Sequence, residues 1–380
     1  MSTRIDVARN RVNEIDLLRF LAALSVVIFH YAFRGYAADG RSDLPYPLLA
    51  PIAKYGYLGV ELFFLISGFV ILMTAARGDL RSFAVSRFVR LYPAFWACCT
   101  ITFIAIVLVG GGRYSASLTQ YLVNMTMLSR FVGVPSIDGV YWSLFVELQF
   151  YGLVAALLLI GRIHQAQGFL LLWLAATVAL KVVPIDALRF LLIADYSPYF
   201  IAGAMSFLIW SNGMTLVRMA AIFISLMLAL HGALSGVAQF ESHYATQMNQ
   251  SVIAGIITAF FVAMLLIATR RIGFLGRRRW LIAGALTYPL YLIHQNLGFM
   301  LFNIAYPAIN VHLLFWGTIT LMLGISYAVH VLIERRYSPT LKRMANHAID
   351  GSAQLLSRLR KSVSGKASPG PAARGIEPPE

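Results

Sequence analysis

Ile15-Asp16-Leu17-Leu18-Arg19-Phe20-Leu21-Ala22-Ala23-Leu24-Ser25-Val26-Val27-Ile28-Phe29-His30-Tyr31-Ala32-Phe33-Arg34 is long enough, as a helix, to cross a bilayer, and its apolar run is broken by one guanidinium and one imidazole. Arg19 and His30 lie eleven residues apart, close to three helical turns, so both fall on one face about 16 Å apart along the axis. They cannot touch each other. Ionisable groups inside a membrane helix are costly unless they face a cavity or a partner. The pair therefore reads as two stations in one tunnel, a fixed cation and, three turns away, a titratable base.

The rest of the chain repeats the membrane signal. Of its 380 residues 59% are hydrophobic and 12% charged, about half the charge of a soluble domain. Apolar windows predict ten spans, at about 15–34, 56–76, 92–112, 140–161, 167–184, 197–212, 214–234, 251–268, 281–304 and 312–334. The segment 117–135, with Gln120, Asn124 and Arg130, is more polar and is taken as interfacial or re-entrant, with an eleventh span as the alternative. With the N-terminus inside, 23 of the 31 Lys and Arg residues fall on the cytoplasmic side and 7 on the outer side, the bias that sets orientation. The fold class is thus an all-α polytopic membrane protein with both termini cytoplasmic. Residues 1–14 form a cytoplasmic N-terminus, 15–335 the transmembrane domain, and 336–380 a cytoplasmic, largely disordered basic tail, too short for a second catalytic domain.

The net charge of +15 is mostly this inward bias, which excludes a nucleic-acid partner. Cys98 and Cys99 are adjacent and cannot staple a fold, and no His or Cys spacing suits a metal. The first span lacks the cleavage site of a signal peptide.

Depth, estimated from the span edges, separates the buried polar residues into two groups. Arg19, Arg87 and Arg90 lie at the inner edge. His30, Glu61 and Glu147 lie in the outer half, with His294 near the middle or just beyond. Arginine suits phosphate because its planar fork stays charged and bonds bidentately, so the inner group fits a phosphate-bearing donor from the cytoplasm. Arg87 and Arg90 share a helix face, and Pro93 is expected to restart the chain as a new helix. An imidazole oriented by a carboxylate is a standard base for taking a proton from a hydroxyl. Glu147 is the favoured partner of His30, directly or through a water, and Glu61 is expected to meet an arginine or a backbone amide. Ser143, Glu147 and Tyr151 form a polar stripe that fits a sugar-binding wall or, equally, an interhelical seam. Thr287, Tyr288, Tyr291, His294 and Gln295 form a second polar face. His231 and His330 read as packing residues.

At these positions the chain resembles the acyltransferase-3 family of integral membrane acyltransferases. Arg19 to His30 resembles its first-span signature, Gly59-Val60-Glu61-Leu62-Phe63-Phe64-Leu65-Ile66-Ser67-Gly68-Phe69 its second-span block, and Arg87 with Arg90, Leu91, Tyr92 and Pro93 its inner-loop element. Trp142, Ser143, Glu147, Phe150 and Tyr151 resemble the fourth-span block, and Tyr288 to His294 the late Tyr-x-x-His element. The resemblance covers about 15–335. It implies ten helices around a central pore, and transfer of an acyl group from cytoplasmic acyl-CoA, with acetyl-CoA the first candidate, to a hydroxyl of a cell-envelope glycan or small molecule at the outer side of a bacterial inner membrane. It implies His30, Glu147 and His294 as catalytic, Arg19, Arg87 and Arg90 as donor-binding, and Glu61, Ser67, Trp142, Ser143, Tyr151, Tyr288 and Tyr291 as substrate-binding or structural, with no metal. The chain looks like the stand-alone type without a fused hydrolase-like domain. The other open reading is a transporter or flippase for a glycan or lipid-linked precursor, in which the same Arg, His and Glu residues form a substrate path.

Overall fold

The structure is a computed structural model that describes residues 12–38, 40–76, 78–277 and 279–364. Arg4, Arg9, Arg11, Arg77, Arg278 and the last sixteen residues, which enter the charge count above, lie outside the described residues. We number the helices α1 Asn13–Phe29, α2 Gly59–Ala75, α3 Leu80–Val109, α4 Leu118–Asn124, α5 Tyr141–Leu159, α6 Ala166–Val182 and α7 Ser197–Asn212. They continue with α8 Leu216–Ser235, α9 Val237–Tyr244, α10 Gln250–Ala268, α11 Leu281–Ala305, α12 Val311–Val329 and α13 Arg335–Ser364. Two π-helical turns, His30–Arg34 and His330–Glu334, extend α1 and α12.

The protein is an all-α polytopic membrane protein. Helices α1, α2, α3, α5, α6, α7, α8, α10, α11 and α12 occupy the ten expected spans. Eight stretches among the described residues are long and apolar enough to cross a membrane. The two helices outside that set have evident reasons. Helix α7 is only 16 residues long, and α11 carries the polar face that lowers its hydropathy. Bilayer chemistry explains the surface: Leu108, Leu172 and Leu216 are at least 73% exposed, as expected of side chains that meet lipid instead of water.

Helix α11 packs against α1, α3 and α12, while α2 packs against α1, α5 and, most extensively, α7. The last contact depends on two glycines. A Cβ on Gly68 would strike the carbonyl of Phe200, and one on Gly203 the carbonyl of Leu65. Small residues that let backbones touch are the usual glue between membrane helices, because lipid supplies no hydrophobic drive between them.

Two expectations change, and the eleventh-span alternative falls away. Pro93 does not restart the chain: α3 is one helix of 30 residues that runs through it. An intramembrane proline is tolerated where neighbouring helices pack against it; Pro93 is buried, and the Tyr288 hydroxyl on α11 donates to the carbonyl of Leu91, two residues before it, at 3.2 Å. Segment 117–135 holds only the seven-residue α4, about 10 Å long, and a short 3-10 turn. It is re-entrant. Tyr92 and Trp96 of α3 donate to the carbonyls of Thr126 and Met125, both at 2.9 Å, and Asn124 donates to the Pro135 carbonyl at 2.9 Å. Tyr92 lies 17 residues, about 25 Å, from the Val109 end of α3, so the segment reaches far along that helix, and its last residues, Ile137, Asp138 and Val140, are buried. Finally, the tail expected to be disordered from residue 336 continues as α13 to Ser364. Its beginning is clamped, because Arg81 donates to both Asp350 oxygens at 2.7 and 2.8 Å and to Asn346 Oδ1 at 3.2 Å. The same guanidinium holds the Asp350 carboxyl below its usual range.

If the α2–α7 contact is the packing limit, Gly203→Leu should abolish the monodisperse folded species on size-exclusion chromatography in detergent. Gly152→Ala, at a position with open space, should leave the thermal midpoint unchanged or slightly raised. Retention of the wild-type midpoint by Gly203→Leu would contradict this packing.

Candidate active site

The polar face of α11 works as a ruler. Tyr288, Tyr291 and His294 succeed one another by three residues, so six residues from Tyr288 to His294 span about 9 Å along the axis. Each of the three side chains meets a different helix.

At the Tyr288 end Arg90 of α3 lies over the Tyr288 ring, 5.8 Å from its centroid. Here a cavity of 170 Å³ is lined by Arg19, Arg87, Arg90, Ser143, Glu147 and Tyr151, with Thr287, Tyr288 and Tyr291 of α11 and Val60, Phe63 and Phe64 of α2 among the apolar and polar walls. Three guanidinium groups against one carboxylate leave the cavity strongly positive. Arg87 also lies 6.0 Å from the Tyr151 ring centroid, and Arg90 lies 3.5 Å from the buried Glu334. Glu334 in turn hydrogen-bonds His330 Nδ1 at 2.7 Å, so His330 is a packing residue that also braces Glu334 behind Arg90.

One turn farther out, Tyr291 and Ser143 exchange a hydrogen bond of 2.6 Å. The stripe Ser143, Glu147 and Tyr151 is thus an interhelical seam, through Ser143 to α11 and Glu147 to α2, and it also lines the cavity. The next turn brings His294. Its Nδ1 lies 3.0 Å from the Leu290 carbonyl and 2.9 Å from the Tyr291 carbonyl, and two acceptors require that this nitrogen carry the proton. Its Nε2 is then an acceptor. His30 Nδ1, 2.8 Å away, must donate to it, which leaves the His30 lone pair on Nε2. Arg34 Nη1 donates to that lone pair from 3.3 Å. Both rings are buried, 4% exposed for His30 and 0% for His294. Tyr31 fixes the pair further by donating to the His294 carbonyl at 2.6 Å.

The structure thus brings together Arg19, Arg87, Arg90, Ser143, Glu147, Tyr151, Tyr288 and Tyr291 at the cavity, and His30 with His294 beyond it. It does not pair Glu147 with His30. Glu147 Oε1 instead accepts from Ser67 Oγ of α2. The cause is the re-entrant loop: Ile137, Asp138 and Val140 are themselves buried, so α5 starts deep in the bundle, and seven residues into it the chain has passed below His30. Among the described residues Glu61 meets no arginine, but its carboxylate hydrogen-bonds its own backbone N–H, the other partner expected of it. Its Oε2 is buried without a hydrogen-bond partner, within electrostatic reach of Tyr57, Tyr196 and Tyr199. Trp142 packs between Phe64 and Tyr196 and is not among the cavity's lining residues.

Sequence reasoning missed Arg34, Tyr31 and Asp138. The four-residue step from His30 to Arg34 is visible in the sequence, but Arg34 was counted as an outer-loop charge. Asp138 accepts from the backbone N–H groups of Asn296 and Val140 at 3.0 and 3.1 Å, a long-range anchor that no local pattern announces.

The chain belongs to the acyltransferase-3 family, whose acyltransferase domain model matches residues 12–334. It is 32% identical over 187 residues to nodulation protein 10 of Rhizobium leguminosarum bv. viciae, covering 43% of this chain and 49% of that protein. An acyltransferase of Streptomyces mycarofaciens, MdmB, is 27% identical over 229 residues, 58% of this chain and 57% of the relative. The peptidoglycan O-acetyltransferase OatA of Listeria monocytogenes is 30% identical over 173 residues, 40% of this chain and 25% of the relative. The chain spans about half the length, or less, of these curated relatives. No solved structure matches it.

The hydrogen-bond directions have a spectroscopic consequence. Solid-state 15N spectra of histidine-labelled protein, assigned with His30→Gln and His294→Gln, should show both rings as Nδ1–H tautomers with a coupling between His30 Nδ1 and His294 Nε2. An Nε2–H tautomer at His294 would contradict this arrangement.

Proposed function

We propose that this protein is an O-acyltransferase that takes an acyl group from an acyl-CoA thioester at its arginine-lined cavity and delivers it to a hydroxyl at the His30 side. The observation that supports this most is the axial order along α11: a cavity with three arginines at one end, and at the other a paired imidazole whose Nε2 lone pair meets only the Arg34 guanidinium among the described residues. Arg19, Arg87 and Arg90 are assigned to the phosphates of the donor, which match a cavity of net positive charge. His30 Nε2 is the base. It takes the acceptor's hydroxyl proton as the acceptor oxygen bonds to the thioester carbonyl carbon, and His294 holds the ring in the required tautomer through the bond at Nδ1. When the C–S bond breaks, the departing thiolate takes the proton from His30. Glu147, through Ser67, Tyr151 and the arginines, then serves the donor end and not the base.

The acceptor class follows from the relatives. The name of the Listeria relative specifies peptidoglycan O-acetylation, and a polar wall of Ser143, Tyr151 and Tyr291 suits sugar hydroxyls, so an envelope glycan or similar hydroxyl compound is the proposed acceptor and acetyl the proposed group. The bacterial inner membrane, with both termini in the cytoplasm, is the proposed location.

Purified protein with acetyl-CoA and a candidate acceptor, followed by thiol release, tests this reading. His30→Ala should lower kcat by about 100 to 10,000-fold in protein that remains folded. Replacing Arg19, Arg87 or Arg90 with Ala should raise the donor KM well above any change in the acceptor KM, since it removes a donor-specific contact. Acceptor movement without thioester consumption would replace the enzyme with a transporter.

A further inference from the structure

His30 presents its only lone pair at Nε2, and in the structure that position is held by Arg34. The two residues are four apart in the π-helical turn His30–Arg34, so they share a face, and Arg34 Nη1 stands 3.3 Å from His30 Nε2. Single π turns are rare and recur at functional sites. Arg34 is itself steered from outside the helix: Asp138, fully buried in the loop before α5, lies within electrostatic reach of it and is fixed to α11 through the Asn296 N–H at 3.0 Å.

An acceptor hydroxyl that is to lose its proton to His30 must take the place at Nε2 that an Arg34 N–H now fills. The carbonyl it attacks is then next to the displaced guanidinium. The geometry points to Arg34 as a catalytic residue that donates N–H groups to the thioester carbonyl oxygen as it becomes an oxyanion. The assignment rests on His30 being the base. In the step, the acceptor O–H bond breaks and its proton goes to His30 Nε2, the acceptor oxygen bonds to the carbonyl carbon, and the C=O π pair moves onto oxygen beside Arg34. Collapse restores C=O, breaks the C–S bond, and the thiolate takes the proton from His30, leaving an ester and a thiol. Guanidinium suits this work because it stays charged and carries five donors in a plane, so one N–H can follow the incoming oxygen while another meets the oxyanion. Donors aimed at developing charge in a water-poor site contribute about 100 to 1,000-fold each.

The test compares Arg34→Lys, Arg34→Gln and Arg34→Ala with His30→Ala in the thiol-release assay, with thermal midpoints recorded for all four. Arg34→Gln should lose about 100-fold or more in kcat with a donor KM within about two-fold of wild type, Arg34→Lys should lose less because it keeps the charge, and added methylguanidinium should restore part of the Arg34→Ala turnover. Should Arg34→Ala not fold, the Lys and Gln variants decide. Equal kcat for Arg34→Gln and wild type, with His30→Ala inactive, would overturn the role of Arg34 and leave the base in place. A loss that tracks only the thermal midpoint, with no rescue and no difference between Lys and Gln, would also overturn it. Substantial turnover by His30→Ala would overturn both assignments.

Discussion

The hydrogen bond between His30 and His294 is the interaction on which the arrangement turns. It joins α1 to α11 at a point where neither helix can turn its polar group to lipid, and the helix backbone itself sets its direction. Because the Leu290 and Tyr291 carbonyls take the His294 proton, the proton order through both rings follows with no choice left. A buried polar group costs several kcal/mol when unpaired in an apolar medium, and three further polar residues on α11 are matched to neighbours: Tyr288 to α3, Tyr291 to α5, and Asn296 to the buried loop through its side chain on the Ile137 carbonyl and its backbone N–H on Asp138. The same helix that pairs with His30 therefore also fixes how three other elements approach that pair.

Charge is arranged along this axis as well. The cavity at Tyr288 holds three arginines and one carboxylate, and Arg90 is backed by Glu334 and His330 in the second π-helical turn. Fixed positive charge in a site screened from water is favourable only if an anion arrives or a carboxylate answers it. Glu147 answers part of it, and its bond to Ser67 keeps it there. The other end carries the imidazole pair and one arginine, a composition suited to moving a proton rather than to holding a polyanion.

Much of this was legible in the chain. Spacing alone put Arg19 and His30 on one face, and the three-residue step from Tyr288 to His294 exposed the polar face of α11. The grouping of Arg19 with Arg87 and Arg90 could be read from distance to the span edges, because all three lie near helix ends on the same side. The same method failed for Glu147. It assumes that each span begins at the membrane surface, whereas the loop before α5 descends into the bundle and is held there by bonds from Asn124, Tyr92 and Trp96 to backbone carbonyls, contacts between residues up to 34 positions apart. Pro93 misled for a related reason: the proline rule describes an isolated helix, and α3 is supported by α11. The tail, polar in composition, gained order from Arg81, whose partners lie 265 and 269 residues away. Local pattern cannot report such contacts.

The central claim is that donor and acceptor reach one transfer centre from opposite ends of the bundle. The direct measurement is sidedness in proteoliposomes of uniform orientation, with acetyl-CoA confined to one face and the acceptor to the other. Turnover only when acetyl-CoA is on the face that carries α13, with the acceptor opposite, is the result this account predicts. Turnover that requires both substrates on the same face would contradict it.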